Sequence, residues 1–168
     1  RLSSLQRQSV QVWSREGRWF IAETRGSSPG EPEIWIFDLE REEAPRRLNF
    51  PQPGHRLWLG FAESESALYV QRQAIDSKAL ELWKFPIPEL KGQLLLSEAS
   101  ATRVRPRPFY VTRNQEILWT SAREGMMRLF FVPSDGSAWR ALTPANLQLT
   151  RILALNEEGG WLSYLAQN

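Results

Sequence analysis

From Gln11 onward the chain reads as short apolar runs broken by two- to four-residue polar turns. Runs of that length, rich in aromatic and β-branched residues and bounded by Gly, Asp, Ser and Asn, predict consecutive antiparallel strands joined by tight hairpins. The predicted strands cover 12–13, 19–22, 34–39 and 47–50, then 57–61, 67–71, 80–85 and 93–97. A third group covers 107–111, 117–120, 128–132 and 139–143, and a fourth begins with 151–155 and 161–165. In Ile34-Trp35-Ile36-Phe37 and Leu129-Phe130-Phe131-Val132, neighbouring side chains point to opposite faces of a strand, yet all of them are apolar. Both faces of such a sheet must be covered, which a sheet stacked between two other sheets achieves. Sustained 3.6-residue spacing is missing and Pro recurs, so helix is disfavoured, with 88–96 the one modest exception.

The groups repeat. Third-strand aromatics Trp35, Trp83 and Phe130 are 83 − 35 = 48 and 130 − 83 = 47 residues apart. Fourth-strand leucines Leu48, Leu95 and Leu142 are 47 and 47 apart, and second-strand Ile21, Tyr69 and Leu118 are 48 and 49 apart. A period in the forties with four strands per unit is the mark of propeller blades. The fold class expected is therefore all-β, built of β-propeller blades of four antiparallel strands, about three and a half of them. One partial-propeller domain, 1–168, divides into blades at about 10–51, 55–99 and 104–148 with a half blade at 149–168. Residues 1–9 read either as a frayed lead-in or as a strand lent to another blade.

Composition agrees with this reading. Eight Trp and eight Phe, with eleven Pro and ten Gly, suit wide gaps between sheets and many short elements. A net charge of +2, with basic and acidic residues interspersed, gives a nucleic-acid partner little support. The absence of cysteine removes disulfides, thiol nucleophiles and Cys-ligated zinc. Apolar runs fall far short of the ~18 residues of a spanning helix, so no membrane partner is expected. The chain starts at Arg1 without an initiator Met or signal-like segment and is expected to be an excised or processed piece whose compartment cannot be read.

Between Glu116 and Leu165 the wording becomes more specific: Trp119-Thr120-Ser121 before the turn at Gly125, a strand running to Asp135-Gly136, and Leu142-Thr143 closing the unit. This resembles the repeat in the N-terminal β-propeller of dipeptidyl peptidase IV-type serine peptidases, and more distantly TolB-like propellers. The resemblance covers about fifty residues and is generic before them. It implies a non-catalytic domain that covers a serine hydrolase domain, restricts entry to small peptides and supplies substrate and subunit contacts. The alternative is a stand-alone TolB-like module whose rim loops bind a protein; a small polyanion- or carbohydrate-binding propeller is a third. Rings of the resembled type hold about twice as many blades. An open array leaves bare edges and an uncovered apolar face at each end. Three solutions are open: the chain is part of a longer propeller, it pairs with a second copy through open blade edges, or the first segment closes a small four-bladed ring.

Candidate chemistry is sparse, and no cofactor is expected. Gly26-Ser27-Ser28-Pro29-Gly30 has the spacing of a nucleophile elbow, with Asp38 and His55 following in hydrolase order. Pro29 has no N–H to serve as an oxyanion donor, and a strand rather than a helix follows, so a hairpin loop is the better reading. His55 is the lone histidine, and Glu40, Glu42 and Glu43 lack calcium-loop spacing, so no metal site is expected. In the resembled peptidases two adjacent glutamates hold the substrate's amino terminus; Glu42-Glu43 lacks the family's flanking aromatics and does not inherit that role. Trp58, Trp83, Trp119 and Trp161 read as packing between blades rather than as a ligand platform. Arg103, Arg105 and Arg107 alternate before a predicted first strand, so on an extended segment they project to one side, where they could bind a carboxylate or acidic peptide at the channel rim. The plainer reading of that segment is a solvated connection. A peptide or a protein is thus the expected partner.

Overall fold

The computed structural model describes residues 11–25, 32–62, 64, 66–105 and 109–168. They form an all-β array without helix among the described residues. The first sheet comprises β1 (Gln11–Trp13), β2 (Trp19–Arg25), β3 (Pro32–Asp38) and β4 (Arg46–Arg47). The second comprises β5 (Gly54–Phe61), β6 (Ala67–Ala74), β7 (Ala79–Pro86) and β8 (Gln93–Ala99). The third comprises β9 (Phe109–Val111), β10 (Ile117–Glu124), β11 (Met126–Val132) and β12 (Arg140–Ala141). A hairpin of β13 (Gln148–Asn156) and β14 (Trp161–Gln167) follows. Strands are antiparallel and neighbour one another in chain order within each sheet, the up-and-down arrangement of propeller blades.

Register proves the repeat. Trp35 pairs with Ala22, Trp83 with Val70, and Phe130 with Trp119. One pleat along, Phe37 pairs with Phe20, Phe85 with Leu68, and Val132 with Ile117. These are the positions that the 47- to 49-residue spacing aligns, and they lie on one face of each sheet. The opposite face is set by Ile21 with Ile36, Tyr69 with Lys84, and Leu118 with Phe131.

Stacking of unlike faces makes the core. Ile21, Ile34 and Ile36 of the first sheet pack with Leu68, Val70, Trp83 and Phe85 of the second. Tyr69, Leu80 and Leu82 of the second pack with Ile117, Trp119 and Val132 of the third. Leu118 and Leu129 of the third then meet Leu155, Leu162 and Tyr164 of the hairpin. Apolar burial between sheets, at roughly 25 cal/mol per Å², is the force that holds consecutive blades together.

Several predicted elements shift. The fourth strands over 47–50 and 139–143 contract to β4 and β12, each two residues long, because the following leucine makes a single further ladder bond: Leu48 N–H donates to Ile34 O (2.9 Å) and Leu142 N–H to Leu129 O (2.8 Å). Pro51 and Pro53 then block further pairing in the first case. β6 runs three residues beyond the predicted 67–71, since Gln71, Arg72 and Gln73 are polar yet buried. The 88–96 segment is a turn leading into β8.

The tryptophans divide. Trp119 and Trp83 are core residues, but Trp58 and Trp161 are exposed, which corrects the packing expectation for those two. Trp58 sits on the first strand of its sheet, at an edge, and touches Phe109 edge-on with ring centroids 4.9 Å apart. Trp161 lies on the hairpin face turned away from the third sheet.

The second interface also contains a polar intrusion. Lys84 and Tyr69 occupy positions that Ile36 and Ile21 hold one blade earlier, and the fully buried Tyr69 hydroxyl has no hydrogen-bond partner among the described residues. Burial pushes the Tyr69 phenol up to about 12 and lowers the Lys84 ammonium. Tyr69→Phe removes an unsatisfied polar atom and is expected to leave stability unchanged or raise it by about 1 kcal/mol in urea unfolding. The sign above neutrality follows from linkage: the unfolded phenol ionises from about pH 10 and the folded one from about 12, so Tyr69 erodes stability across that interval. The Phe variant is expected to lack this part of the alkaline decline.

Candidate functional site

The connector between the second and third sheets is fixed at three points. Ser100 N–H donates to Lys78 O (2.9 Å), Val104 N–H to Ser77 O (2.8 Å), and Gln73 Nε2 to Val104 O (2.5 Å). The Val104 side chain is buried in the core between the two sheets. An extended backbone with one side chain anchored inward turns its neighbours outward. Arg103 and Arg105 accordingly stand exposed on either side of Val104, and neither makes an ion pair among the described residues. Arg107 lies outside the described residues. Two of the three expected arginines are thus exposed and flank the buried Val104, on a strap that the β6–β7 turn holds in place.

The end of the sheets around this strap is polar and internally paired. Arg56 of β5 binds Glu23 of β2 across the first interface. Arg72 donates to Gln52 O (2.7 Å), lies 3.9 Å over the Phe50 ring and 3.9 Å from Glu81. Trp119 Nε1 donates to Glu98 (3.1 Å), and Trp83 Nε1 to Glu81 (2.7 Å). Arg56 and Trp119 thus join neighbouring sheets and Arg72 ties the connector at Gln52 to β6, while Arg103 and Arg105 stand exposed. Lys78, on the adjoining turn, is a third exposed cation, while Asp76 accepts the Lys78 N–H (2.9 Å). Hydrophobic patterning had no means of finding the buried polar residues, because Gln71, Arg72 and Gln73 read as the end of a strand.

The hydrolase-like residues are not assembled. Asp38 is held by the Arg18 guanidinium at 3.2 and 2.9 Å, which keeps its carboxyl below the usual range. Its other partners are the Arg41 guanidinium (3.8 Å) and the Glu40 N–H (3.2 Å) rather than an imidazole. His55 is exposed on β5, and the 26–30 segment lies outside the described residues. Glu40 pairs with Arg18 (3.3 Å) and Glu43 with Arg41 (3.5 Å), so this acidic turn is solvated and charge-balanced. No group of three or more potential metal ligands occurs among the described residues.

No protein-family model matches the chain. Among solved structures, dipeptidyl peptidase 4 of Porphyromonas gingivalis superimposes with a TM-score of 0.73 at 12% identity, over 85% of this chain and 25% of that one. A protein of Bacteroides ovatus described as a dipeptidyl aminopeptidase IV gives 0.71 at 15% identity, over 93% and 29%. A protein of Agrobacterium tumefaciens described as TolB gives 0.58 at 14% identity, over 94% and 53%. This chain therefore spans about a quarter of the two peptidases' length, and the shared fold is that of propeller blades.

Proposed function

We propose that this chain is a non-catalytic β-propeller segment that serves a serine peptidase of the dipeptidyl peptidase type, limiting access to small peptides. The observation that carries this reading is that its blades follow those of the two peptidases more closely than those of the TolB protein. Within that role, the strap bearing Arg103 and Arg105 is the surface suited to an anionic group, such as a peptide carboxylate. The anchored backbone at Val104 keeps the strap itself from having to be ordered on binding.

One experiment tests both parts. The chain is incubated with Gly-Pro and Ala-Pro chromogenic substrates and titrated separately with a short acidic peptide. No product release is expected, and enzyme-like turnover would overturn the non-catalytic reading. Arg105→Ala is expected to weaken peptide binding by about tenfold, the equivalent of one charge-assisted hydrogen bond, while Lys91→Ala leaves it unchanged. Equal effects would remove the strap from the proposal. A reading frame that continues into an α/β-hydrolase supports the peptidase assignment; one that stops directly after this segment favours a stand-alone interaction module.

A further inference from the structure

A row of polar side chains crosses the second sheet on the face that meets the third. Tyr69 of β6 is directly opposite Lys84 of β7, and Lys84 is directly opposite Gln93 of β8. Both sheets are complete four-strand blades, so the row lies within the chain's own stacking. Burial falls along it: Tyr69 is fully buried, Lys84 half-buried and Gln93 exposed. On the other side of Tyr69 stands Gly60, and the Trp58 ring covers it so closely that a Cβ there would come 2.5 Å from the indole. Water therefore reaches the row from the Gln93 end.

Residues directly opposite one another in an antiparallel pair share a face, with Cβ atoms about 5 Å apart. Yet the Tyr69 hydroxyl has no hydrogen-bond partner among the described residues, and Lys84 makes neither a hydrogen bond nor an ion pair among them. The two neighbours fail to pair because an ammonium keeps to water: burying the charge against an apolar wall costs more than one bond to a phenol returns. Burial accordingly weakens the hold of Lys84 on its proton. An acyl group on the nitrogen reverses both conditions. It removes the charge, and its carbonyl oxygen is the acceptor that the phenol O–H lacks. We infer that Lys84 is an acylation site, taking an acetyl group from an activated donor of the acyl phosphate class, and that the acetyl carbonyl accepts the Tyr69 hydroxyl and tightens the second interface. In that step the neutral amine nitrogen attacks the acyl carbon and a C–N bond forms. The bond from that carbon to the phosphate oxygen breaks, and one amine proton passes to the departing phosphate. The site is separate from the strap and goes beyond the peptidase reading without using it.

The sequence holds three lysines, and the other two, Lys78 and Lys91, are exposed and outside the strands. Incubation of the chain with limiting acetyl phosphate, followed by peptide mass spectrometry, is expected to fill Lys84 ahead of both, the reverse of their order of exposure. In a Lys78→Arg/Lys91→Arg background, where Lys84 is the remaining lysine, full acetylation is expected to raise the thermal midpoint by about 2–4 °C, as one added buried hydrogen bond does in a chain of this size. No rise is expected when the same background also carries Tyr69→Phe, nor when it carries Lys84→Arg, which accounts for the terminal amine. Lys84 filling last would overturn the inference, as would a midpoint that stays level or drops on acetylation. A rise that survives Tyr69→Phe would overturn it too, because the phenol would then not be the group that the acetyl carbonyl meets. None of these failures touches the peptidase reading, which rests on substrate and peptide assays.

Discussion

Trp119→Ala is expected to destabilise the protein by about 3–5 kcal/mol, measured as a lower midpoint in urea unfolding followed by circular dichroism. The indole is fully buried in β10, on the face that meets the second sheet, and it fills space shared with Tyr69, Leu80, Leu82 and Val104. Its ring lies 5.7 Å from Phe109, and its Nε1 donates to Glu98 across the interface. Truncation removes the contact area, leaves a cavity between two sheets that cannot close over it, and deprives the Glu98 carboxylate of its donor. Trp58→Ala is the control. That ring is 41% exposed and touches Phe109 at the sheet edge, so its loss is expected to cost about 1 kcal/mol. Comparable costs for the two would mean that the second and third sheets are not stacked through Trp119.

The same contrast explains what could be read from the chain and what could not. Blade period was legible because stacking imposes bulky apolar residues at one register position per sheet: Trp35, Trp83 and Phe130 each occupy the same slot opposite β2, β6 or β10. Exposure of a given tryptophan was not legible. Trp58 and Trp119 look alike in sequence, and only their placement on a first or second strand decides which one is buried. Pattern also failed where the core is polar. Lys84 stands where Ile36 and Phe131 stand in the neighbouring sheets, and a lysine there signals solvent to any hydropathy argument.

The candidate site divides in the same way. Alternation of Arg103 and Arg105 about Val104 was visible as letters, and the structure exposes both while burying Val104. What fixes them was not visible: the strap is held by Ser77 O and by Gln73, residues about thirty positions earlier. Long-range hydrogen bonds of that kind leave no periodic trace. Asp38 shows the reverse failure, a residue in suggestive order whose partner, Arg18, lies twenty positions earlier beside it at the open end of the same hairpin.

Gly136→Ala is expected to be as severe as the loss of Trp119, for a different reason. Gly136 closes the turn from β11 to β12, its N–H donating to Pro133 O (2.9 Å), with φ at +75°. An L side chain in that region costs about 1–2 kcal/mol by itself. Here a Cβ would also fall 2.1 Å from Leu95 O and 2.9 Å from its carbonyl carbon, both backbone atoms of β8 in the preceding sheet. Backbone within a paired strand cannot swing aside as a side-chain tip can, so the turn must lift from β8 and carry part of the interface with it. Gly17→Ala isolates the conformational part, because φ is +76° there and nothing lies within 4 Å. The Gly136 variant is expected to lose at least twice the stability that the Gly17 variant loses, with its excess appearing as faster exchange of the Leu95 and Leu96 amides. Equal losses would mean that the turn does not seat against β8, and the close approach of the third sheet to the second at that end would have to be withdrawn.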